Sequence, residues 1–300
     1  MSRGPVPVDL TGVPLHVAAD DASASLTWPA DLLPLRGHYP GLPIVPGVFL
    51  VDTAARAAVA LVGHGVARPT GVQRVRFLRP VLPGDTTTAH VERATPAPGG
   101  GTAVRCRLTV ADVPVATVTV VLDGPAALGD PDGAPRVPAQ EAVLARDVAS
   151  VLPHRWPMLL VDRAVAVRSG AWAVTEKAVS AQDWVFDGVG TAGAYPWPLV
   201  LESWCQGAGV LAAWERPNPD VLAGDVMLFA GLSDVTFGHG VRPGDVLRHH
   251  VRLVRMLDGA VVVTGSSHVG GRTVLTVGSV SMALRPAHAL RVPEVAAVTP

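Results

Sequence analysis

Two hydrophobic segments decide the fold of this chain. Residues 45–63 read VPGVFLVDTAARAAVALVG, and residues 196–214 read PWPLVLESWCQGAGVLAAW. Each segment is long enough for a helix and is apolar on every side apart from two or three positions. A helix without a polar face must be buried all round. The pattern therefore predicts two long buried helices, each wrapped by other structure.

The sequence around these helices repeats as well. FLRPVLPGD (77–85) matches FGHGVRPGD (237–245) at Phe, Val and Pro-Gly-Asp. Stretches rich in Val and Thr with hairpin signals follow each copy, which predicts antiparallel strands and an α+β fold with a sheet around each helix. Residues 124–140 are rich in Pro, Gly and Ala without a hydrophobic period. They predict a linker between domains at 1–123 and 141–300.

Composition limits the class of protein. Of 300 residues, 49% are hydrophobic and 16% are charged, which favours packed cores over disorder. A formal net charge of −1 gives no electrostatic reason to expect a nucleic acid or an anionic membrane as partner. Two cysteines cannot make a disulfide framework, and we find no apolar signal or membrane-spanning segment. We expect a cytoplasmic protein.

One histidine lies in an unusually stiff loop. Residues 36–48 read RGHYPGLPIVPGV and lead directly into the first hydrophobic segment. Proline fixes φ and glycine permits backbone that other residues rarely adopt, so this composition specifies one rigid path. A lone histidine in a loop more often has a structural role, in which its ring forms hydrogen bonds with nearby carbonyls. The rigid loop here instead predicts a functional role for the imidazole ring of His38.

The motifs resemble those of a known family. GHYPGLPIVPGVFLVD (37–52) resembles the active-site segment of bacterial 3-hydroxyacyl-[acyl-carrier-protein] dehydratases, where an acid follows the histidine by fourteen residues. LPHRWPMLLVDR (152–163) resembles the segment that opens those proteins, and LVLESWCQ (199–206) resembles their acid-bearing helix. The resemblance implies a double hotdog: two tandem hotdog domains packed as an intramolecular pseudo-dimer, helices side by side and sheets joined edge to edge, similar to polyketide synthase dehydratase domains.

The same resemblance implies the reaction and the catalytic pair. In the family, the histidine and the acid of one site come from different hotdogs, which implies His38 with Glu202. They would dehydrate a 3-hydroxyacyl thioester to a trans-2-enoyl thioester in fatty-acid or polyketide biosynthesis. Neutral imidazole can accept a proton near neutral pH, and a buried carboxyl can protonate the departing hydroxyl. Asp52 lies fourteen residues after His38, but Gly188 stands fourteen before Glu202, so we favour an i,i+4 pair of Asp52 with Arg56.

Four more residues of these segments can be given a functional or a structural interpretation. Gly47, where the first helix should begin, is predicted to present its backbone to the thioester oxygen. Gln206 follows Glu202 by one helical turn and would satisfy the buried acid by hydrogen bonding. His154 and Cys205 are interpreted as structural.

Partners follow from the resemblance too. It implies an acyl carrier protein that presents the substrate on phosphopantetheine, with no metal or other cofactor. Because carrier proteins are acidic, we predict docking on Arg74, Arg76 and Arg79, which we expect to share one face of a strand. The chain would be a monomeric pseudo-dimer or a homodimer of it. Two alternatives stay open: an enoyl-thioester isomerase or enoyl-CoA hydratase, and a non-catalytic hotdog binding subunit.

Overall fold

The computed structural model describes residues 10, 12–63, 67–125, 128, 147–187, 193–238, 240–257 and 259–286. The predicted linker at 124–140 lies outside these residues except for positions 124, 125 and 128, and Gly188 also lies outside them. The domain boundaries therefore stay a prediction.

The described residues form two long helices and twelve strands. The helices are α1 (Gly47–Leu61) and α2 (Trp197–Ala213). The strands of the first half are β1 (His16–Ala18), β2 (Ser23–Thr27), β3 (Pro69–Phe77), β4 (Thr86–Pro96), β5 (Thr102–Val110) and β6 (Val113–Leu122). Those of the second half are β7 (Arg163–Arg168), β8 (Trp172–Ala178), β9 (Asp225–Phe237), β10 (Val246–Leu257), β11 (Ala260–Val269) and β12 (Arg272–Pro286).

All twelve strands belong to one antiparallel sheet. Its order is β1-β2-β4-β5-β6-β3-β9-β12-β11-β10-β8-β7, so the second half repeats the order of the first in reverse. The halves meet where β3 pairs with β9 in antiparallel register. This is the predicted edge-to-edge joining of two sheets, and it confirms the double hotdog architecture.

Two glycines allow the close approach at this seam. A Cβ on Gly71 of β3 would lie 2.6 Å from the Val235 carbonyl oxygen, and a Cβ on Gly231 of β9 would lie 2.6 Å from the Val75 carbonyl oxygen. The two positions are related by the same spacing that aligns the repeated Phe-to-Asp segments. Each half therefore contributes an equivalent glycine to a pseudo-twofold contact.

The repeated Pro-Gly-Asp motif has the same structural role in both halves. Gly84 and Gly244 adopt left-handed φ values of 92° and 95°, which favour glycine. The carboxylates that follow close the same turn: Asp85 accepts from the Leu82 N–H and Asp245 from the Arg242 N–H, each at 2.8 Å. The Pro-Gly-Asp part of the repeat thus encodes a local turn in each half.

The helices lie side by side within the sheet, as predicted. Helix α1 packs against α2 and against strands β1–β6, while α2 packs against β7, β8, β10 and β11. Polar residues on both helices are buried with the apolar ones, including Asp52, Arg56, Glu202 and Gln206. Among the described residues, neither helix is long and apolar enough to cross a membrane.

Candidate active site

The loop that carries His38 is fixed by its own hydrogen bonds. The N–H groups of Tyr39 and Leu42 each donate to the other's carbonyl, at 3.3 and 3.1 Å, and the Ile44 N–H donates to the His38 carbonyl at 3.2 Å. His38 Nδ1 lies 3.1 Å from the Ile44 carbonyl oxygen. Because a carbonyl oxygen only accepts, Nδ1 carries the hydrogen, and Nε2 of the neutral ring holds the lone pair. The loop therefore sets Nε2 as the basic atom.

Glu202 is held by the residue one turn along α2. The Gln206 Nε2 donates to Glu202 Oε1 at 3.0 Å and to the Met158 carbonyl at 2.7 Å, while Gln206 Oε1 accepts from the Leu160 N–H at 2.8 Å. Only 2% of the Glu202 surface is exposed. The amide of Gln206 thus connects the acid to the segment that enters the second half, which agrees with the role predicted for it.

His38 and Glu202 line one cavity of about 350 Å³. Residues of the His38 loop, the start of α1 and the segment after β3 form one side, and residues of α2, β9 and β12 form the other. The cavity lies between the halves, and its walls are mainly apolar, including Phe77, Leu232 and Cys205. An elongated acyl group can therefore lie between an imidazole of one half and a carboxyl of the other.

Gly47 lies at the N-terminus of α1 and lines this cavity. The N-cap, Pro46, makes no side-chain hydrogen bond to the first turn. A Cβ on Gly47 would lie 2.8 Å from the Phe77 ring, so a side chain here would disturb the cavity wall. Gly47 therefore brings the N-terminus of α1, whose first N–H groups lack intrahelical partners, to the cavity, and its role toward the thioester oxygen stays a prediction.

A second histidine, His154, belongs to this cluster. Its Nε2 lies 3.6 Å from Glu202 Oε1, and its ring centroid lies 5.3 Å from that of His38. Tyr39 lies edge-on to it at 4.9 Å, and burial raises the pKa of the Tyr39 hydroxyl. Burial, together with His38 and Arg155, lowers the pKa of His154 well below its ordinary value, so its ring is neutral.

These three side chains also form a possible metal-binding set. The ligand atoms of His38, His154 and Glu202 all lie within 4.8 Å of one another, and all three residues are buried. Two imidazoles and a carboxylate are ligands that divalent transition metals accept. The same groups suit proton transfer, for which no metal is needed.

Asp52 lies apart from this cluster. It is buried in α1 and is not among the residues that line the cavity with His38. The position expected to face it, Gly188, lies outside the described residues. One turn on, the Arg56 Nη2 donates to the Val13 carbonyl at 3.0 Å.

The three predicted docking arginines occupy different places. Arg74 and Arg76 are exposed on β3, and Arg74 lines a separate cavity of about 600 Å³. Strand β3 ends at Phe77, so Arg79 lies beyond it and lines the cavity of His38. The prediction that all three share one strand face is wrong, because the strand ends before Arg79. Arg285, from β12, also lines the cavity of His38.

Sequence comparison shows the family. Residues 15–103 match the ApeI dehydratase (ApeI-like) family and residues 152–278 match the FabA-like domain, so His38 and Glu202 fall in different matches. The 3-hydroxyacyl-[acyl-carrier-protein] dehydratase FabZ of Chloroflexus aggregans is 42% identical over 115 residues, which are 38% of this chain and 77% of the relative. The FabZ of Symbiobacterium thermophilum is 40% identical over 121 residues, 40% of this chain and 82% of the relative. The chain belongs to the FabZ dehydratase family.

Solved structures show the fold of this FabZ-family chain over nearly its whole length. The dehydratase domain of PpsC from Mycobacterium tuberculosis, solved with C12:1-CoA, aligns with TM-score 0.62 and 16% identity over 92% of this chain and 98% of that one. The dehydratase domain from the CurJ module of the Curacin polyketide synthase gives TM-score 0.64 and 10% identity over 93% and 97%. An acyl-CoA thioesterase II, TesB2 from Mycobacterium marinum, gives 0.58 and 12% over 92% and 96%, so the fold alone does not set the chemistry.

Sequence reasoning missed the place of His154 in this FabZ-family site. His154 was interpreted as structural because its segment resembled the opening of the family's proteins rather than their active-site motif. No signal in the sequence indicates this position, which depends on the Gln206 side chain bonding to Met158 and Leu160 from the acid-bearing helix. Cys205, also interpreted as structural, is buried in the cavity wall, and burial raises its pKa well above the ordinary value.

Proposed function

We propose that this chain dehydrates a 3-hydroxyacyl thioester to a trans-2-enoyl thioester, with His38 as base and Glu202 as acid. One observation carries the proposal: side chains from different halves line the same cavity, with their titratable atoms within 4.8 Å of each other. The family supports the reaction class. An enoyl-thioester isomerase or an enoyl-CoA hydratase with this fold would use the same base and acid. The FabZ relatives, which are dehydratases, favour elimination of water over these two reactions.

Each proton in the elimination has a place in this geometry. His38 Nε2 takes a proton from the carbon next to the thioester carbonyl, and the electron pair of that C–H bond becomes the new C=C bond. The C–O bond on the neighbouring carbon breaks, and Glu202 gives a proton to the departing hydroxyl, which leaves as water. Electron density on the thioester oxygen meets the N-terminal N–H groups of α1 at Gly47. A proton then returns from His38 to Glu202 through solvent.

Substitutions of the two residues test this assignment. His38→Ala should lower kcat by about 10²- to 10⁴-fold, the loss expected for a positioned base. Glu202→Gln keeps the size of the side chain but removes the acidic proton, so it should approach the same loss. Because both residues act on one transition state, the double variant should be little worse than either single variant. The ultraviolet absorbance of the conjugated enoyl thioester measures the rate.

Asp52→Asn is the matched control. It removes a buried carboxylic acid from the equivalent helix but leaves the cavity of His38 untouched, so turnover should stay within about threefold of the parent. If Asp52→Asn is inactive while Glu202→Gln turns over normally, His38 works with the acid of its own half. Normal turnover by all three single variants would mean that this loop is not catalytic.

We also propose that the acyl group arrives on the phosphopantetheine arm of a carrier protein. Arg79 and Arg285 come from different halves, are exposed and line the cavity. Guanidinium groups suit the phosphate of the arm and an acidic partner. Replacing both with Ala should raise KM for the carrier-bound substrate about tenfold and weaken its dependence on salt. Arg74→Ala, at the separate cavity, is the control, and an equal effect there would move the docking surface to β3.

A further inference from the structure

His154 is a buried histidine whose hydrogen bonding is incomplete. Only 5% of its surface is exposed, and within the described part of the chain neither ring nitrogen has a hydrogen-bond partner. Glu202 Oε1 lies 3.6 Å from His154 Nε2, beyond hydrogen-bond distance. Buried polar groups in proteins are nearly always satisfied, so an exception calls for an explanation.

Another buried histidine of the same half shows what a structural role looks like. The His249 Nε2 lies 2.8 Å from Ser203 Oγ, and its Nδ1 lies 2.7 Å from Ser267 Oγ. Both nitrogens of His249 are therefore satisfied by the protein itself. His154 differs because neither of its nitrogens has a partner among the described residues, and its ligand atom lies within 4.8 Å of those of His38 and Glu202, although His154 itself is not among the residues that line the cavity.

The position of His154 is fixed by the loops around it. The Arg155 N–H donates to the Gly37 carbonyl at 3.1 Å, which joins this segment to the His38 loop across the two halves. The Arg155 guanidinium donates to the carbonyls of Leu152 and His154 at 2.8 and 2.7 Å. These bonds fix the backbone at His154, and its ring packs against those of His38 and Tyr39 without using its nitrogens. A ring that is fixed, neutral and unpartnered is suited to bind a small polar group.

We propose that His154 contacts the substrate and donates a hydrogen bond from Nε2 to its 3-hydroxyl oxygen, beside Glu202. The inference rests on the proposed dehydration. Because Nε2 and Glu202 Oε1 are 3.6 Å apart, one oxygen atom can lie within about 2.8 Å of both. His154 keeps its proton throughout: as the C–O bond breaks and Glu202 protonates the oxygen, the N–H···O bond strengthens with the growing negative charge.

Binding measurements separate this role from a structural one. In a His38→Ala background, which prevents elimination, a 3-hydroxybutanoyl-pantetheine thioester should bind about fivefold tighter than butanoyl-pantetheine, the gain expected for one hydrogen bond. Adding His154→Ala should abolish that preference without weakening butanoyl-pantetheine. His154→Gln, whose amide retains an N–H donor, should keep part of it. An unchanged preference in the His154→Ala protein would overturn the inference.

Turnover gives a second readout with the His38 residue intact. His154→Ala should lower kcat by about tenfold or more with little change in the inhibition constant of a competitor without the 3-hydroxyl, and His154→Gln should recover part of the loss. His249→Gln, which alters a buried histidine away from the cavity, controls for general effects of core substitution. If His154→Ala does not fold, the Gln variant carries both measurements. Full activity of His38→Ala would instead refute the proposed function. The contact between His154 and the 3-hydroxyl would then be judged by binding alone, and loss of the 3-hydroxyl preference in the His154 variants would support it.

Discussion

Gly37→Ala should reduce catalysis because it forces apart the two loops that assemble the site. A Cβ on Gly37 would lie 2.1 Å from the Arg155 carbonyl oxygen and 3.0 Å from the Met158 nitrogen. Gly37 has φ −104°, which any residue adopts, so the substitution introduces a steric conflict without backbone strain. Both neighbours are backbone atoms and cannot rotate away as a side chain would.

The size of the effect follows from this distance. Cβ atoms essentially never approach other heavy atoms within 3.0 Å, so the loops must separate by about 1 Å. His38 is the next residue in one loop and His154 the preceding residue in the other, and the shift therefore moves the base relative to the groups of the second half. A displacement of about 1 Å can cost about 100-fold in rate. Overpacking of this kind should also lower the free energy of unfolding by about 1–3 kcal/mol.

Gly193→Ala provides the comparison. Gly193 lies in the segment before α2, a Cβ there meets nothing within 4 Å, and its φ lies outside the left-handed region. We expect its kcat to remain within about twofold of the parent under the steady-state dehydration assay. Urea unfolding of both variants shows whether the folded state persists at the assay temperature. A folded Gly37→Ala protein with parental kcat would refute the reasoning that this contact sets the catalytic geometry.

Two further predictions concern protons and metal ions. Burial, together with the smaller effects of His250 and His268, lowers the pKa of His249 from 6.5 to about 3. Below pH 6.5 this side chain therefore binds a proton in the unfolded chain but stays neutral in the folded chain. His249 alone should reduce the free energy of unfolding by about 2 kcal/mol as the pH falls from about 7 to about 5, measured by urea unfolding. In a His249→Gln protein this part of the pH dependence should be absent. Chelator treatment should leave the rate of dehydration unchanged. Added Zn²⁺ should inhibit competitively, because two ligand atoms on a tetrahedral Zn²⁺ lie about 3.3 Å apart, close to the 3.6 Å between His154 Nε2 and Glu202 Oε1. His154→Ala should weaken that inhibition, and activity that is lost with chelator and restored by Zn²⁺ would contradict the metal-free mechanism.

The parts of the fold that the sequence predicted are those with local causes. The two helices are apolar on nearly every side, and α1 begins at Gly47, the residue predicted for its start. The Pro-Gly-Asp repeat marks equivalent turns because glycine adopts the left-handed φ there and aspartate accepts the turn N–H. The family resemblance added the cross-half placement of His38 and Glu202 around one cavity, which residue periodicity alone does not predict.

The parts that the sequence did not predict depend on contacts between distant segments. His154 lies near His38 because Gly37 has no side chain and the Arg155 N–H can therefore reach the Gly37 carbonyl. The sequence shows a glycine next to His38, but it does not indicate which other loop that glycine contacts. The arginine prediction went wrong for a related reason: the alternation of a strand was extended past Phe77, where β3 ends. The boundary of a strand is set by its pairing with β6 and β9 rather than by its own residues.

The residue one turn beyond the acid differs between the two helices. Arg56 and Gln206 occupy equivalent positions in α1 and α2, and each side chain bonds to backbone of the segment that enters its own half. Their charges differ, however, because the guanidinium of Arg56 is a permanent cation. The amide of Gln206 is neutral and donates a hydrogen bond to Glu202 Oε1. Fusing both hotdogs in one chain allows such a difference, since a symmetric homodimer would place the same residue beside both acids.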